Sequence, residues 1–261
     1  MCTVLLRLTP DAPWPLLLAA VRDEFTDRAW DPPAAHWVAS APALVGGRDR
    51  TAGGTWLAVR PDPPGVAAIL NGVRLGPPEH GARPSRGGLP LASLTSASPL
   101  EAADLTGYDG FHLLLGTADR VDVWSWDGRR LGHQQLPPGD HIIVNAGVNT
   151  VDDPLVPHFA PLLAATPSPD PRPNLSTADA WDGWVDLLTG DGLAPDDPRA
   201  LIVRREFGVL EPGFSEPRTY GSTSASLVAI GRSGVRYDFT GTPERPTWHP
   251  VEIAAARADR D

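Results

Sequence analysis

The chain has 261 residues and a net charge of −10, with 32 acidic side chains against 22 basic ones, all of them Arg. Nucleic acids and anionic membrane surfaces are bound through basic patches, so this balance argues against both as partners. The single Cys excludes an intrachain disulfide and a multi-Cys metal site, and it fits a reducing cytosol. Because no apolar stretch approaches ~20 residues and no signal-peptide pattern opens the chain, we expect a cytoplasmic protein without a membrane span.

Gly and Pro make up about a fifth of the chain, and they separate short apolar runs that are rich in β-branched and aromatic residues. Such runs between turn residues are typical of strands. In chain order, the predicted strands are 3–8, 15–20, 55–59, 66–70, 111–115, 121–126, 142–145, 226–230, 235–239 and 248–253. The Gly-Arg-Ser-Gly at 231–234 predicts a hairpin turn between two of them.

Helix signals are fewer. Residues 176–188 predict an amphipathic helix, because Ser176 is a typical N-cap and large apolar residues recur three and four apart on one face. Shorter helices are predicted at 99–105 and 157–163, each opening with a Pro that the first helical turn tolerates. The pattern indicates a strand-rich α+β fold, organised as a single domain over 1–261.

Cys2 directly follows Met1, at the head of the first apolar run. Methionine before so small a residue is readily removed in cells, which would put a thiol and a free α-amine on one residue. The amine titrates near pH ~8 and the thiol near ~8.5, so the amine can take the thiol proton and the thiolate can attack a carbonyl. The position therefore predicts an N-terminal nucleophile, and an ordinary disordered terminus is the alternative.

Three charged residues at 22–24 follow the second predicted strand, where buried charges would need partners. If the turn at 10–13 is tight, the first two strands form a hairpin that brings Cys2 to Arg22 and Asp23. Asp23 could then fix the amine, and Arg22 could orient a substrate or help to keep the thiol ionised. A structural ion pair is the alternative interpretation.

Glycine pairs enclose a charged triplet within residues 46–57. Because Gly permits positive φ and close backbone approach, the segment predicts either a tight, site-lining loop or an ordinary hairpin turn. Asn71 and Asn145 each follow a predicted strand, and an Asn amide can hold an oxyanion, although Asn is also a common turn residue. The seven His residues show no metal-binding spacing, and no Gly-x-Ser-x-Gly elbow is present. No metal or cofactor is therefore expected.

Together, these motifs resemble the Asn-Arg-Asp-Glu (NRDE) family, which includes the transport and Golgi organisation protein 2 group. The most specific part is Gly-Gly-Arg-Asp followed by Ala-Gly-Gly-Thr-Trp-Leu within 46–57, preceded by Met-Cys-Thr and by Arg-Asp-Glu at 22–24. Further matches follow in order over most of the chain, at Asn71-Gly72-Val73-Arg74, Ser85-Arg86-Gly87, Tyr108-Asp109-Gly110-Phe111, Leu113-Leu114-Leu115-Gly116, Val144-Asn145-Ala146 and Tyr220-Gly221.

The resemblance implies an N-terminal-nucleophile hydrolase-like fold, a four-layer αββα sandwich in which two antiparallel sheets pack face to face between helices. Relatives with this fold that begin at Cys include conjugated-bile-acid hydrolases and penicillin acylases. Carried over by motif, Cys2 is the nucleophile and base, and Asp23 supports its amine. Asn71 and Asn145 are oxyanion candidates, and Arg22 is the accompanying guanidinium.

Two positions depart from the family pattern. Val21 replaces the first Asn of the family motif, so any hydrogen bond made by that amide is lost. Thr223 stands where the family often has Arg, and the missing charge would otherwise stabilise a thiolate. These departures indicate a divergent member of the family.

The sequence thus predicts a cysteine amidohydrolase that acts on a non-peptide C–N bond of a small-molecule amide through a Cys2 thioester. The alternative is a non-catalytic carrier of haem or a lipid-related ligand, since the wider family has been connected to haem handling and membrane-lipid homeostasis. Cys2 or a His could ligate haem iron, although the sequence contains no Cys-x-x-Cys-His motif. An accessory protein with an inactive site is a third interpretation.

Overall fold

The computed structural model describes residues 2–76, 83–96, 100, 104–208 and 216–253. Within these ranges the chain is an α+β protein with two antiparallel sheets and a few short helices. None of the helices described is long and apolar enough to cross a membrane.

The strands, in chain order, are β1 (Thr3–Leu8), β2 (Leu16–Phe25), β3 (Trp30–Ala34), β4 (Val45–Asp49), β5 (Leu57–Pro61), β6 (Pro64–Asn71), β7 (Phe111–Gly116), β8 (Val121–Trp126), β9 (Leu131–Leu136), β10 (Gly139–Val144), β11 (Gly147–Val148), β12 (Arg204–Phe207), β13 (Arg218–Ile230), β14 (Val235–Thr240) and β15 (His249–Pro250). The helices are α1 (Leu89–Thr95), α2 (Leu155–Ala165), α3 (Thr177–Trp181) and α4 (Gly183–Leu187), with a 3₁₀ turn at Arg86–Gly88. The first sheet has the order β11-β10-β1-β2-β13-β14-β15, with β12 beside β13, and the second runs from β3 to β9 in sequence.

Both faces of the first sheet are buried, because its apolar residues alternate between two cores. In β2, Leu16 and Leu18 face the second sheet, whereas Leu17 and Ala19 face helices α2 to α4. Helix α1 packs on the outer face of the second sheet through Leu94. Each fully buried Leu stabilises this packing by about 1.5–3 kcal/mol. The molecule is therefore layered as helices, sheet, sheet and helix.

The first hairpin positions the amino-terminal residues. Strands β1 and β2 pair from Thr3 opposite Val21 to Leu8 opposite Leu16, which confirms the predicted hairpin. Cys2, one residue before β1, therefore lies beside the charged end of β2.

Most predicted strands are confirmed, and those at 3–8 and 121–126 have the predicted ends. The prediction at 15–20 was too short, since β2 continues to Phe25 and β13 pairs with it over its charged end. Strands β3, β4, β9, β11 and β12 were missed, because they are short and exposed or contain Gly and Pro. The predicted strand at 248–253 is reduced to the two residues of β15.

The helix predicted at 176–188 is wrong as a single element. The chain breaks into α3 and α4 at Asp182, whose φ is 41°, a positive value that Asp adopts more readily than most residues. Trp181 and Trp184 nevertheless both lie fully buried in the core between the first sheet and the helices. The helix predicted at 157–163 is α2, and most of the one at 99–105 lies outside the described residues.

Candidate active site

A cleft of about 650 Å³ lies at the charged end of the β1–β2 hairpin and is lined by residues of both sheets. Four of the five predicted site residues line it: Cys2, Arg22, Asp23 and Asn71. The fifth, Asn145, follows β10, and its Oδ1 accepts a hydrogen bond from the Cys2 nitrogen at 3.3 Å. The fold therefore brings all five residues together around Cys2.

Cys2 is half-buried at the edge of the core between the sheets. Its nitrogen is an amide in the chain that includes Met1, and removal of Met1 would turn the same atom into the α-amine. Its Sγ lies 4.0 Å from the carbonyl oxygen of Asp23, the range of a weak S–H···O contact. Burial raises the pKa of the thiol, and the positive charge of Arg22 opposes that rise. The thiol consequently needs a local base to ionise at neutral pH.

The Arg22 guanidinium is held on three sides. Its central carbon lies 4.4 Å from the centroid of the Trp56 ring, in a cation–π contact. Nη1 donates to Thr223 Oγ1 at 2.9 Å, and the carboxylates of Asp49 and Glu24 lie 3.8 and 4.0 Å from Nη2. Burial lowers the pKa of Arg22, but a guanidinium remains charged. A positive charge is thus fixed beside the thiol.

Thr223, where the family often has Arg, sits in a bulge of β13. The pairing shifts between Ser222, opposite Asp23, and Ser224, opposite Arg22, which leaves Thr223 as the extra residue. Its hydroxyl accepts from the Arg22 guanidinium and donates to the Arg22 carbonyl at 3.2 Å. In this chain the position therefore carries a hydroxyl that orients Arg22 rather than a second charge.

Asp23 is buried against β13. The Ser222 hydroxyl donates to Asp23 Oδ1 at 2.6 Å, and the Tyr220 hydroxyl donates to the Asp23 carbonyl at 3.0 Å. Burial raises the pKa of Asp23 to about 7, although the Ser222 hydrogen bond lowers it. A carboxyl that titrates near neutrality can hold or release a proton under physiological conditions. Sequence reasoning did not single out Ser222, because its partner is 199 residues away.

His112 positions Asn145 from the second sheet. His112 Nε2 lies 3.1 Å from the Asn145 carbonyl oxygen, and Nδ1 lies 2.7 Å from Ser125 Oγ on the paired strand. Because a carbonyl can only accept, Nε2 carries the proton and Nδ1 accepts from Ser125. Burial lowers the pKa of His112, which keeps the ring neutral at pH 7. A lone His in an apolar strand was the only sequence signal for this role.

Asn71 ends β6 and lines the cleft. Its side-chain amide makes no hydrogen bond to any residue that the structure describes. Its two N–H donors are therefore available to an oxygen atom of a ligand.

The glycine-rich segment 46–57 runs from β4 to the first residue of β5, and these two strands pair, which confirms the hairpin interpretation. Four residues of the connection also line the cleft: Thr51, Ala52, Thr55 and Trp56. A Cβ at Gly54 would lie 2.3 Å from the carbonyl carbon of Gly87, and one at Gly47 would lie 2.3 Å from the Trp56 ring. Because Gly54 has no side chain, the 3₁₀ turn can pack closely against it beside the cleft. Gly47 in the same way leaves room for the Trp56 indole.

The described part of the chain contains no group of three or more His, Cys, Asp or Glu side chains arranged to hold a metal ion. Among the described residues that line the cleft, Cys2 is the one whose side chain could ligate haem iron. A haem-binding role would therefore depend on Cys2 or on a side chain beyond this lining.

A model of the family described as Transport and Golgi organisation 2 matches residues 1–240, most of the chain. The chain belongs to the Transport and Golgi organisation 2 family. The matched range contains all five candidate site residues, and the resemblance inferred from the motifs is confirmed. No curated protein matches the sequence.

In this member of the Transport and Golgi organisation 2 family, the Val21 side chain is part of the apolar core. Its side chain is 2% exposed and packs between the first sheet and the helices, away from the cleft-facing Arg22. An Asn amide at this position would be buried among apolar side chains, where it would need hydrogen-bond partners. The departure at Val21 is therefore accommodated by apolar packing.

Proposed function

We propose that the protein is a cytoplasmic cysteine amidohydrolase that cleaves a non-peptide C–N bond through a thioester on Cys2. We propose also that its two-sheet architecture is the αββα sandwich of N-terminal-nucleophile hydrolases. The observation that carries the proposal is the convergence at Cys2. The sole thiol lines a cleft of about 650 Å³, its nitrogen meets Asn145, and the buried side chains of Arg22 and Asp23 lie beside it.

In the first half of the proposed reaction, removal of Met1 frees the Cys2 α-amine. The amine takes the Sγ proton, and the thiolate attacks the carbonyl carbon of the bound amide. The charge of Arg22 favours the thiolate, and the amide N–H groups of Asn71 and Asn145 bind the oxyanion. Collapse of the tetrahedral adduct transfers the proton from the α-ammonium to the departing nitrogen, which leaves as an amine.

In the second half, the α-amine takes a proton from water, and the hydroxide attacks the thioester carbonyl. The C–S bond breaks, the thiol recovers its proton, and the carboxylic acid departs. One water is consumed for each amide bond that is cleaved. Asp23, whose pKa burial raises to about 7 in the chain that retains Met1, supports the amine and helps it to exchange protons near neutral pH.

One observation favours the competing function, a carrier of haem or a lipid-related ligand. Burial raises the pKa of the Cys2 thiol, so the thiol stays protonated at neutral pH unless the α-amine acts on it. A cleft with a protonated thiol would hold a ligand without cleaving it. The two functions therefore differ in whether the amine activates the thiol.

The first test measures that activation. We expect intact mass to show loss of Met1, and iodoacetamide to alkylate Cys2 faster than a free model thiol at pH 7. A chain with one Gly inserted between Met1 and Cys2 is the matched control, because it keeps the thiol and moves the amine to another residue. Equal alkylation rates for the two chains, or retention of Met1 in most molecules, would contradict the proposal.

The second test measures turnover with N-acyl amino acids, acyl-homoserine lactones, bile-acid conjugates and β-lactams. A substrate should leave an acyl adduct on Cys2, and Cys2→Ala should abolish turnover. If the panel is inert and added haem gives a Soret shift that Cys2→Ala alters, the carrier function replaces the hydrolase.

A further inference from the structure

The Arg side chains that line the cleft differ in how closely a carboxylate approaches them. Arg28 Nε lies 2.6 Å from Asp49 Oδ2, and Arg83 Nε lies 3.0 Å from Asp109 Oδ1. Arg86 lines the same cleft, and no carboxylate of a described residue lies within 4.0 Å of its guanidinium. The charges of Asp109 and Glu24 act on it only from farther away, and burial lowers the pKa of Arg86. A guanidinium that is partly buried without a counter-charge is costly unless a ligand supplies one.

The Arg86 side chain is held in place rather than mobile in solvent. Its Nη1 donates to the Gly110 carbonyl at 2.8 Å, which leaves its other N–H groups for further partners. The 3₁₀ turn that carries it is anchored by a hydrogen bond of 2.8 Å from the Thr55 nitrogen to the Gly87 carbonyl. The close approach of Gly54 to Gly87 keeps this turn against the cleft wall. The donors of Arg86 are therefore preorganised for a planar anion.

Other parts of the cleft wall are apolar. Trp56, Ile69 and Pro84 line it together with Cys2. An occupant that matches this wall has an apolar portion for these side chains and an anionic group for the remaining N–H donors of Arg86.

We infer that Arg86 binds a carboxylate of the substrate, and that the substrate class is N-acyl amino acids whose acyl chain lies along Trp56 and Ile69. Hydrolysis would consume one water and release a carboxylic acid and the free amino acid. The assignment of these ligands as substrates rests on the proposed function, whereas their binding does not require turnover.

The experiment is calorimetric titration of the Cys2→Ala chain, which cannot form a thioester, with N-octanoylglycine and with N-octanoylglycinamide. These probes differ only in the carboxylate. We expect the carboxylate to bind about 10–100-fold more tightly than the amide, the usual range for a charge-assisted hydrogen bond. Adding Arg86→Gln should remove this preference and leave the affinity for the amide unchanged.

Two further variants separate recognition from bulk electrostatics. Arg28→Gln also removes one positive charge from the cleft, but that charge is already paired with Asp49, so the preference should persist. Arg86→Lys keeps the charge without the fork of donors and should give an intermediate preference. A preference that survives in folded Arg86→Gln would overturn the inference, as would equal weakening of both probes, which indicates a purely structural role.

Equal affinity of the Cys2→Ala chain for the two probes, or binding of neither, would also overturn the inference. These outcomes are distinct from failure of the hydrolase proposal, which is read from Met1 loss, alkylation and acyl adducts on Cys2. A protein that prefers the carboxylate and never acylates Cys2 keeps the Arg86 site and loses the hydrolase function.

Discussion

Two buried Arg–Asp sets in the first sheet differ in how their charges are used. In β14, Arg236 and Asp238 are two residues apart, so their side chains share a face and form a bidentate pair at 2.7 and 3.0 Å. Asp238 also accepts from Thr177 Oγ1 at 2.6 Å and from Trp181 Nε1 at 2.7 Å. This pair ties β14 to α3 inside the core.

In β2, Arg22 and Asp23 are adjacent, so their side chains point to opposite faces of the strand. Arg22 bonds to Thr223 and lies on Trp56, whereas Asp23 accepts from Ser222. A spacing of one residue instead of two thus directs the two charges to separate surroundings next to Cys2. The closed pair, Arg236 and Asp238, thus has its partners in one cluster and serves the fold, whereas the charges of the divided pair, Arg22 and Asp23, lie apart and both act on Cys2.

The largest effect is expected at the divided pair. Asp23→Asn should lower Cys2 alkylation or turnover by about 10²–10⁴, the usual contribution of a general acid or base, because the neutral amide cannot support the amine. Asp109→Asn is the control, since it also removes a cleft carboxylate, one that pairs with Arg83 and not with Arg22. A folded Asp23→Asn chain with unchanged Cys2 reactivity would remove Asp23 from the mechanism.

At the closed pair, the effect should be on stability. Arg236→Met leaves Asp238, which is 0% exposed, without its counter-charge and should lower the free energy of unfolding by about 3–5 kcal/mol in urea titrations. The exposed pair of Arg218 and Asp27 gives the control, because Arg218→Met should lower the free energy of unfolding far less than Arg236→Met does. A loss below about 1 kcal/mol for Arg236→Met would show that the closed pair does not hold the fold.

The pH dependence of stability should show whether Asp23 in the divided pair has a raised pKa. The folded-state pKa of Asp23, about 7, is above its ordinary value of 3.8, so the folded chain retains a proton that the unfolded chain releases between these values. The stabilisation is complete below pH 4 and is lost as the pH rises to 7, by at most about 4 kcal/mol. Asp23→Asn should therefore become more stable relative to the parent chain over this range in thermal or urea unfolding. A constant difference between the two chains from pH 4 to pH 7.5 would contradict the raised pKa.

The sequence by itself determined the features that depend on neighbours along the chain. Short apolar runs between turn residues predicted β1 and β8 with the observed ends, and the first hairpin followed from two such runs around a short turn. That hairpin was enough to predict that Cys2 would lie near Arg22 and Asp23. The motifs around Asn71 and Asn145 then completed a candidate set that the fold brings together.

Only the tertiary structure decided which side chains surround those residues. Ser222 reaches Asp23 across 199 positions, Thr223 reaches Arg22 across 201, and His112 holds Asn145 from the other sheet. None of these contacts has a local signature, because sheet pairing between distant strands sets them. The break between α3 and α4 could not be predicted for a similar reason. The helical spacing of Trp181 and Trp184 indicates only that both side chains are buried. Local periodicity shows which face of an element is apolar, and packing between distant segments determines what that face meets.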